Sequence, residues 1–316
     1  MGVIMTDFAN LGNSELNQIV NKFDIAHFKK SEPMKEGQVN YNYLLETEKE
    51  KYVLTIFNKK NYDEIITLVG ILEHLSEKKF PSSKLVETVN GDLFDTYQKQ
   101  YVIMKKYIEG EIIENLNEKQ LFKVGKILAE LHNIDVPSFV PDKYPYGIES
   151  FEQVYVKKAE DEEYIKWLQK KEKYLKENIS NGLPKVLIHG DVFYDNLLWK
   201  NGMLAALIDF EYACNYYKIF DIGTAIIGNC IENEKINFQK AKSIIKGYRT
   251  LGRFDPKEIR QLKLFTEYAA IATSVLRFKL KGLINEKKSR DYKEMMRTAE
   301  NIHNFPKKEF IQGIFY

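Results

Sequence analysis

Cysteine is scarce in this chain: 316 residues carry only Cys214 and Cys230, with neither a CxxC pair nor a Cys/His cluster. A disulfide-stapled scaffold and a structural zinc site are thereby disfavoured, and a reducing cytoplasm is the expected setting. Long apolar runs are missing too. The longest candidate, residues 264–284, is broken by Glu267, Arg277, Lys279 and Lys281, whereas a membrane span needs roughly 18–20 apolar residues. An excess of one charge is also absent. Lys+Arg number 47 against 45 Asp+Glu, a formal net charge of +2, so no bulk field draws the chain to nucleic acid or membrane. There is no internal repeat and no low-complexity segment. Residues 1–6, MGVIMT, fit the loose myristoylation pattern, but they lack the flank of a signal peptide. A poorly packed terminus is the reading taken.

What is present is an ordinary globular composition, 44% hydrophobic and 29% charged, long enough to bury a large core. Apolar spacing predicts a helix from Ser14 to Phe23 and another from Tyr62 to Lys79. The segment 36–45 reads as a turn running into a strand, and Lys51–Phe57 as a β-rich strand. Strands around 84–89 and 93–97 flank Asn90–Gly91, a hairpin signal, and Tyr101–Met104 closes this half. Beyond Gly110 the pattern turns helical: Leu121–Leu131, then a Lys/Glu-rich helical stretch over 151–178, then most of 238–305. Two short apolar strands, Val186–Ile188 and Leu204–Ile208, lie around a turn at Asn201–Gly202. The expectation is an α+β chain with a β-rich lobe over 1–104, carrying one helix, and a mostly helical lobe over 105–316. Its hinge falls at about 104–110.

The informative stretch is Leu187-Ile-His-Gly-Asp-Val-Phe-Tyr-Asp-Asn-Leu-Leu198, followed by Ile208-Asp-Phe-Glu211. His189, Asp191 and Asn196, then a strand–turn–strand ending in Asp209, match a kinase catalytic loop with its metal-binding aspartate. Phosphoryl transfer to an alcohol asks for these residue types. One carboxylate must take the proton of the attacking hydroxyl, and magnesium prefers hard oxygen ligands such as a carboxylate and an amide oxygen.

The pattern HGDxxxxNxL…IDFE…DIG resembles the aminoglycoside phosphotransferase/choline kinase superfamily, which has a bilobal protein-kinase-like fold. Within it, the sequence is most similar to the bacterial homoserine kinases of this fold. YNYLLET (41–47), YVLTIF (52–57), GILEHL (70–75), YIEGEII (107–113), GKILAELH (125–132), HGDVFYDN (189–196), IDFEYACN (208–215) and VLRFKLKGL (275–283) carry the likeness. It runs over roughly residues 40–283. The resemblance implies ATP and Mg2+ as cofactors, with 1–104 as the nucleotide-covering lobe and 105–316 as the catalytic and substrate lobe. It implies Asp191 as the base, Asn196 and Asp209 as metal ligands, and His189 and Asp221 as structural braces of the site. It also implies ATP contacts from the turn with Gly37, Asn40 and Asn42, and from a hinge spanning Met104 to Tyr107.

The sequence departs from protein kinases where Thr55 and Leu68 stand in place of the Lys–Glu ion pair. Lys59 and Lys60 lie nearby as substitute cations, and the Gly37 turn is glycine-poor. Glu211 and Arg277 are candidates for the ammonium and the carboxylate of an amino-acid acceptor, with metal contact or a plain ion pair as the other readings. Asp195 reads as a solvated carboxylate. The expected reaction is phosphorylation of a small amino alcohol, L-homoserine to O-phospho-L-homoserine, in threonine biosynthesis. Choline/ethanolamine or aminoglycoside kinases are the alternative, and a non-catalytic kinase-like binding module is the rival outside enzymes. No nucleic-acid or membrane partner is expected, and the sequence assigns no oligomeric state.

Overall fold

A computed structural model describes residues 8–34, 39–157, 159–281 and 290–316. The chain divides into two compact units, Met1–Glu109 and Gly110–Tyr316. Gly37, the 1–6 pattern and Gly282–Leu283 lie outside the described residues.

The first unit is built on a sheet of β1 (Lys30–Pro33), β2 (Tyr41–Glu46), β3 (Lys51–Ile56), β4 (Leu85–Val86), β5 (Asp95–Tyr97) and β6 (Gln100–Lys106), ordered β1-β2-β3-β6-β4 with β5 also on β6. Alternation puts Tyr43 and Leu45 of β2 and Leu54 and Ile56 of β3 inside. Helix α1 (Asn13–Val20) lays Leu16, Ile19 and Val20 into that core. Each such side chain contributes about 1.5–3 kcal/mol on full burial. Helix α2 (Tyr62–Glu77) begins at a reciprocal cap, where Asn61 accepts the Glu64 amide and Glu64 accepts the Asn61 amide. Among the described residues this unit therefore holds two helices, both at the places the apolar spacing predicted, rather than the single helix of the expected lobe. Asn90–Gly91 does turn the chain, but β4 and β5 do not pair with each other. Both pair with β6, and the tight hairpin is instead β5–β6 across Gln98–Lys99, both at positive φ.

The second unit contains β7 (Glu111–Ile112), α3 (Glu118–His132), α4 (Glu152–Tyr155), α5 (Glu162–Asn178), β8 (Lys185–Ile188), β9 (Leu197–Lys200), β10 (Met203–Leu207), β11 (Cys214–Tyr217) and α6 (Lys218–Asn229). The ribbon β12 (Ile231–Glu232)–β13 (Lys235–Ile236) and helices α7 (Phe238–Tyr248), α8 (Pro256–Leu280), α9 (Tyr292–Asn304) and α10 (Lys307–Phe315) follow. The helix expected over 151–178 is broken between α4 and α5, because Asp161 leaves the helical backbone to cap α5 through the Tyr164 amide. Nor do the two expected apolar strands form one ribbon. β10 pairs with β9 across the Asn201–Gly202 turn, whereas β8 pairs with β11. Among the described residues no helix is long and apolar enough to cross a membrane.

Helices α3 and α7 touch backbone to backbone. A Cβ on Gly125 would fall 1.9 Å from the Ile244 carbonyl oxygen, and one on Gly247 1.8 Å from that of Phe122. Only glycine permits this approach, and it brings the ends of the two helices, His132 and Tyr248, into a 3.1 Å hydrogen bond.

Candidate active site

The two ribbons decide where the chemistry-bearing residues go. One loop, 189–196, leads from β8 to β9, and a second, 208–213, leads from β10 to β11. Both loops pass from the same ribbon pair, so they lie side by side. The Ile208 amide donates to the Asn196 carbonyl at 3.0 Å, and the Ile208 carbonyl sits 2.8 Å from His189 Nε2. His189 is fully buried. Its Nδ1 accepts the Asp191 amide at 3.2 Å, which leaves the proton on Nε2 for Ile208. Burial lowers its pKa, consistent with a neutral ring that ties the two loops together.

Asp221, on the first turns of α6, holds the start of the first loop. Its carboxylate accepts the backbone N–H groups of His189 (2.9 Å) and Gly190 (2.8 Å) and lies 3.1 Å from His132 Nε2. Burial opposes ionisation, but His132 and these amides outweigh it and hold the carboxyl below its ordinary range. Gly190 has φ +82, and a Cβ there would meet the Tyr144 ring at 2.7 Å. The close turn frees the Gly190 carbonyl for the Tyr144 hydroxyl at 2.9 Å.

Asp191 follows directly. Asn196 Nδ2 donates to its Oδ2 at 3.0 Å and to its carbonyl at 2.9 Å. Burial pushes the Asp191 carboxyl up to about 8, with Asp195 and Asp209 adding to the rise and Asn196 and Arg290 opposing it. Asp209 is exposed and sits at φ 67, in left-handed backbone, as the chain reverses between β10 and β11. Among the described residues no donor reaches Asn196 Oδ1 or the Asp209 carboxylate. These are hard oxygen donors beside an excess of negative charge, a set that fits a divalent cation. No group of three or more His, Cys, Asp or Glu among the described residues is placed to hold a metal unaided.

The other expected residues are placed as follows. Glu211 is part-buried. After burial and Tyr146, Glu211, Asp191 and Asp209 all disfavour ionisation of the Tyr212 hydroxyl, so the three carboxylates share one neighbourhood. Arg277 is nine-tenths buried and is engaged through Nη1, with Glu294 Oε2 at 2.7 Å and the Asp291 carbonyl at 3.0 Å. In the first unit, Asn42 Oδ1 accepts the Thr55 hydroxyl at 2.7 Å across the β2–β3 ladder. Asn40 Oδ1 accepts the Asn58 amide at 3.4 Å. Leu68 is core. Lys59 is exposed, and Lys60 lies over the Phe57 ring at 5.8 Å. Met104 is fully buried within the sheet, and the Tyr107 amide donates to the Lys51 carbonyl at 2.9 Å.

Three residues escaped the sequence reading. His132 carried a signal, the closing histidine of GKILAELH, but its partner Asp221 is 89 positions away. Tyr144 sits in a proline-rich loop that gave no hint of it. Arg290 binds Asp195 at 2.7 Å, so Asp195 is an ion-pair partner rather than a solvated carboxylate.

Residues 30–255 match the phosphotransferase enzyme family, and the chain belongs to it: a kinase with a protein-kinase-like α+β fold and a hydroxyl acceptor. The chain is 23% identical to the homoserine kinase of Rhizobium meliloti (strain 1021) over 274 residues, 84% of each chain. Among solved structures it is similar to an amicoumacin kinase in complex with AMP-PNP and Ca2+ (TM-score 0.68, 16% identity, 93% of this chain and 95% of that one). It is also similar to a choline kinase from Streptococcus pneumoniae (TM-score 0.67, 16% identity, 92% and 99%).

Proposed function

We propose that the protein transfers the γ-phosphoryl group of ATP to the hydroxyl of L-homoserine, giving O-phospho-L-homoserine and ADP, a cytoplasmic step toward threonine. The observation that carries the kinase chemistry is the Asp191–Asn196 pair, placed by the Ile208 backbone beside Asp209. Homoserine as acceptor rests on the curated homoserine kinase matched over 84% of both chains.

In this reading Asp191 takes the proton of the acceptor hydroxyl as its oxygen approaches phosphorus, and Asn196 Nδ2 holds the carboxylate in position. His189 and Asp221 fix the loop that carries it. Asn196 Oδ1 and Asp209 would hold Mg2+, which when bound would supply positive charge to offset the negative charge of transfer. The first unit covers the nucleotide through Gly37, Asn40, Asn42 and the Met104–Tyr107 stretch, and the second holds the acceptor. Glu211 meets the acceptor ammonium and Arg277 its carboxylate.

ADP release measured with homoserine, threonine, serine, choline, methylthioribose and aminoglycosides tests the reading. Homoserine should give the highest kcat/KM. Turnover of choline with none of homoserine would overturn the acceptor and leave the kinase standing.

A further inference from the structure

Around the catalytic loop, one charged group has no place in the chemistry so far. Arg290 precedes α9 and reaches back to the loop, where Nη2 bonds Asp195 Oδ2 at 2.7 Å and the Tyr194 hydroxyl at 3.4 Å. Its guanidinium lies 5.5 Å from the Tyr194 ring centroid. An arginine carries five N–H donors. With Nη2 engaged, Nε and Nη1 have no protein acceptor among the described residues. The side chain is two-thirds buried, at 31% exposure, so these donors are partly removed from water.

Arg277 stands close by. Its side chain is 10% exposed, and both of its bonds use Nη1, so its Nε and Nη2 also lack an acceptor among the described residues. The two guanidinium groups are near enough to repel each other, and each interacts favourably with Asp191. Two like charges held together in a partly buried place are costly. Each has one carboxylate ion-pair partner, Asp195 for Arg290 and Glu294 for Arg277. Both keep unspent donors, which a further anion could engage.

We propose that Arg290, braced by Asp195 and Tyr194, is a specificity residue that joins Arg277 in binding the carboxylate of the acceptor. The inference rests on the homoserine reading. The ligand class is an amino acid or hydroxy acid with a terminal hydroxyl, and the carboxylate gives that class its advantage over a plain amino alcohol. Charge-assisted bonds from guanidinium to carboxylate are the strong kind, and a lysine does not reproduce the planar donor set.

The experiment compares the parent with Arg290→Gln and Arg290→Lys. Calorimetry with AMP-PNP and Mg2+ gives Kd for L-homoserine and for 3-amino-1-propanol, which is homoserine without its carboxylate. Thermal melting reports the fold. The parent should bind homoserine more tightly than 3-amino-1-propanol, and in Arg290→Gln that preference should fall at least tenfold, with Arg290→Lys in between. Equal weakening of both ligands would assign the guanidinium to the phosphoryl group or to loop stability, and overturn the proposal. So would homoserine binding within twofold of the parent in Arg290→Gln. A parent that neither binds nor phosphorylates homoserine overturns the acceptor reading itself, a result seen before any variant is made.

Discussion

Asn196 Nδ2 lies 3.0 Å from Asp191 Oδ2 and 2.9 Å from the carbonyl of the same residue. Both amide protons are committed to Asp191, so the amide oxygen is left on the other side. One side chain thereby steadies the carboxylate and offers an oxygen ligand. The loop from β10 brings Asp209 alongside, through the Ile208–Asn196 backbone bond.

Asp209→Ala should impair nucleotide binding. In the proposed reading Asp209 would be one of two side chains holding the divalent ion, so its loss would weaken the site for the metal–nucleotide complex. The Kd for ATP–Mg2+ should rise, and the Mg2+ concentration for half-maximal activity with it. Titration of nucleotide at fixed and varied Mg2+ checks this, and parent-like binding would show that the metal sits elsewhere.

Gly247→Ala should destabilise the second unit by about 1–3 kcal/mol, the usual cost of forcing extra volume into a packed interior, since its Cβ would fall 1.8 Å from the Phe122 carbonyl oxygen. The same shift would pull Tyr248 from His132 and loosen the Asp221 brace. Urea unfolding measures the first effect. A fall in kcat at temperatures where the variant is still folded measures the second.

Asp161 gives the pH dependence. Burial pushes its carboxyl up, but the Tyr292 hydroxyl, the Tyr164 amide and Lys293 outweigh it and hold the value at about 2. A folded pKa below the ordinary carboxylate value near 4 stabilises the fold above that value, and the stabilisation is lost as pH falls toward about 2. Asp161→Ala removes this together with the α5 cap, of which the cap alone contributes about 1 kcal/mol. Melting temperature against pH should show a shallower acid limb in the variant between about pH 4 and 2.

The proximity of Asp191, Asn196 and Asp209 was legible because it is written in short spacing: four residues separate Asp191 from Asn196, and a single turn returns the chain to Asp209. The strand pairing was less so. Asn90–Gly91 and Asn201–Gly202 carry the same hairpin signal, yet only the second joins paired strands, because β4 and β5 each pair with β6, one after the other along the edge opposite β3. The break before α5 also escaped, although Asp161 followed by Glu162 and Glu163 is a helix start. The apolar period on either side runs on as if unbroken. His132 and Arg290 could not be found from spacing, since each meets its partner across about 90 residues of chain.

The measurement that bears most directly on the account is the activity of Asp191→Asn, with nucleotide affinity measured on the same preparation. An asparagine keeps the size of the side chain and loses its ability to take the hydroxyl proton. General base catalysis contributes about 10²–10⁴-fold, so kcat should fall by that much while the Kd for ATP–Mg2+ stays close to that of the parent. A loss of less than about tenfold would contradict the assignment of Asp191 as the base.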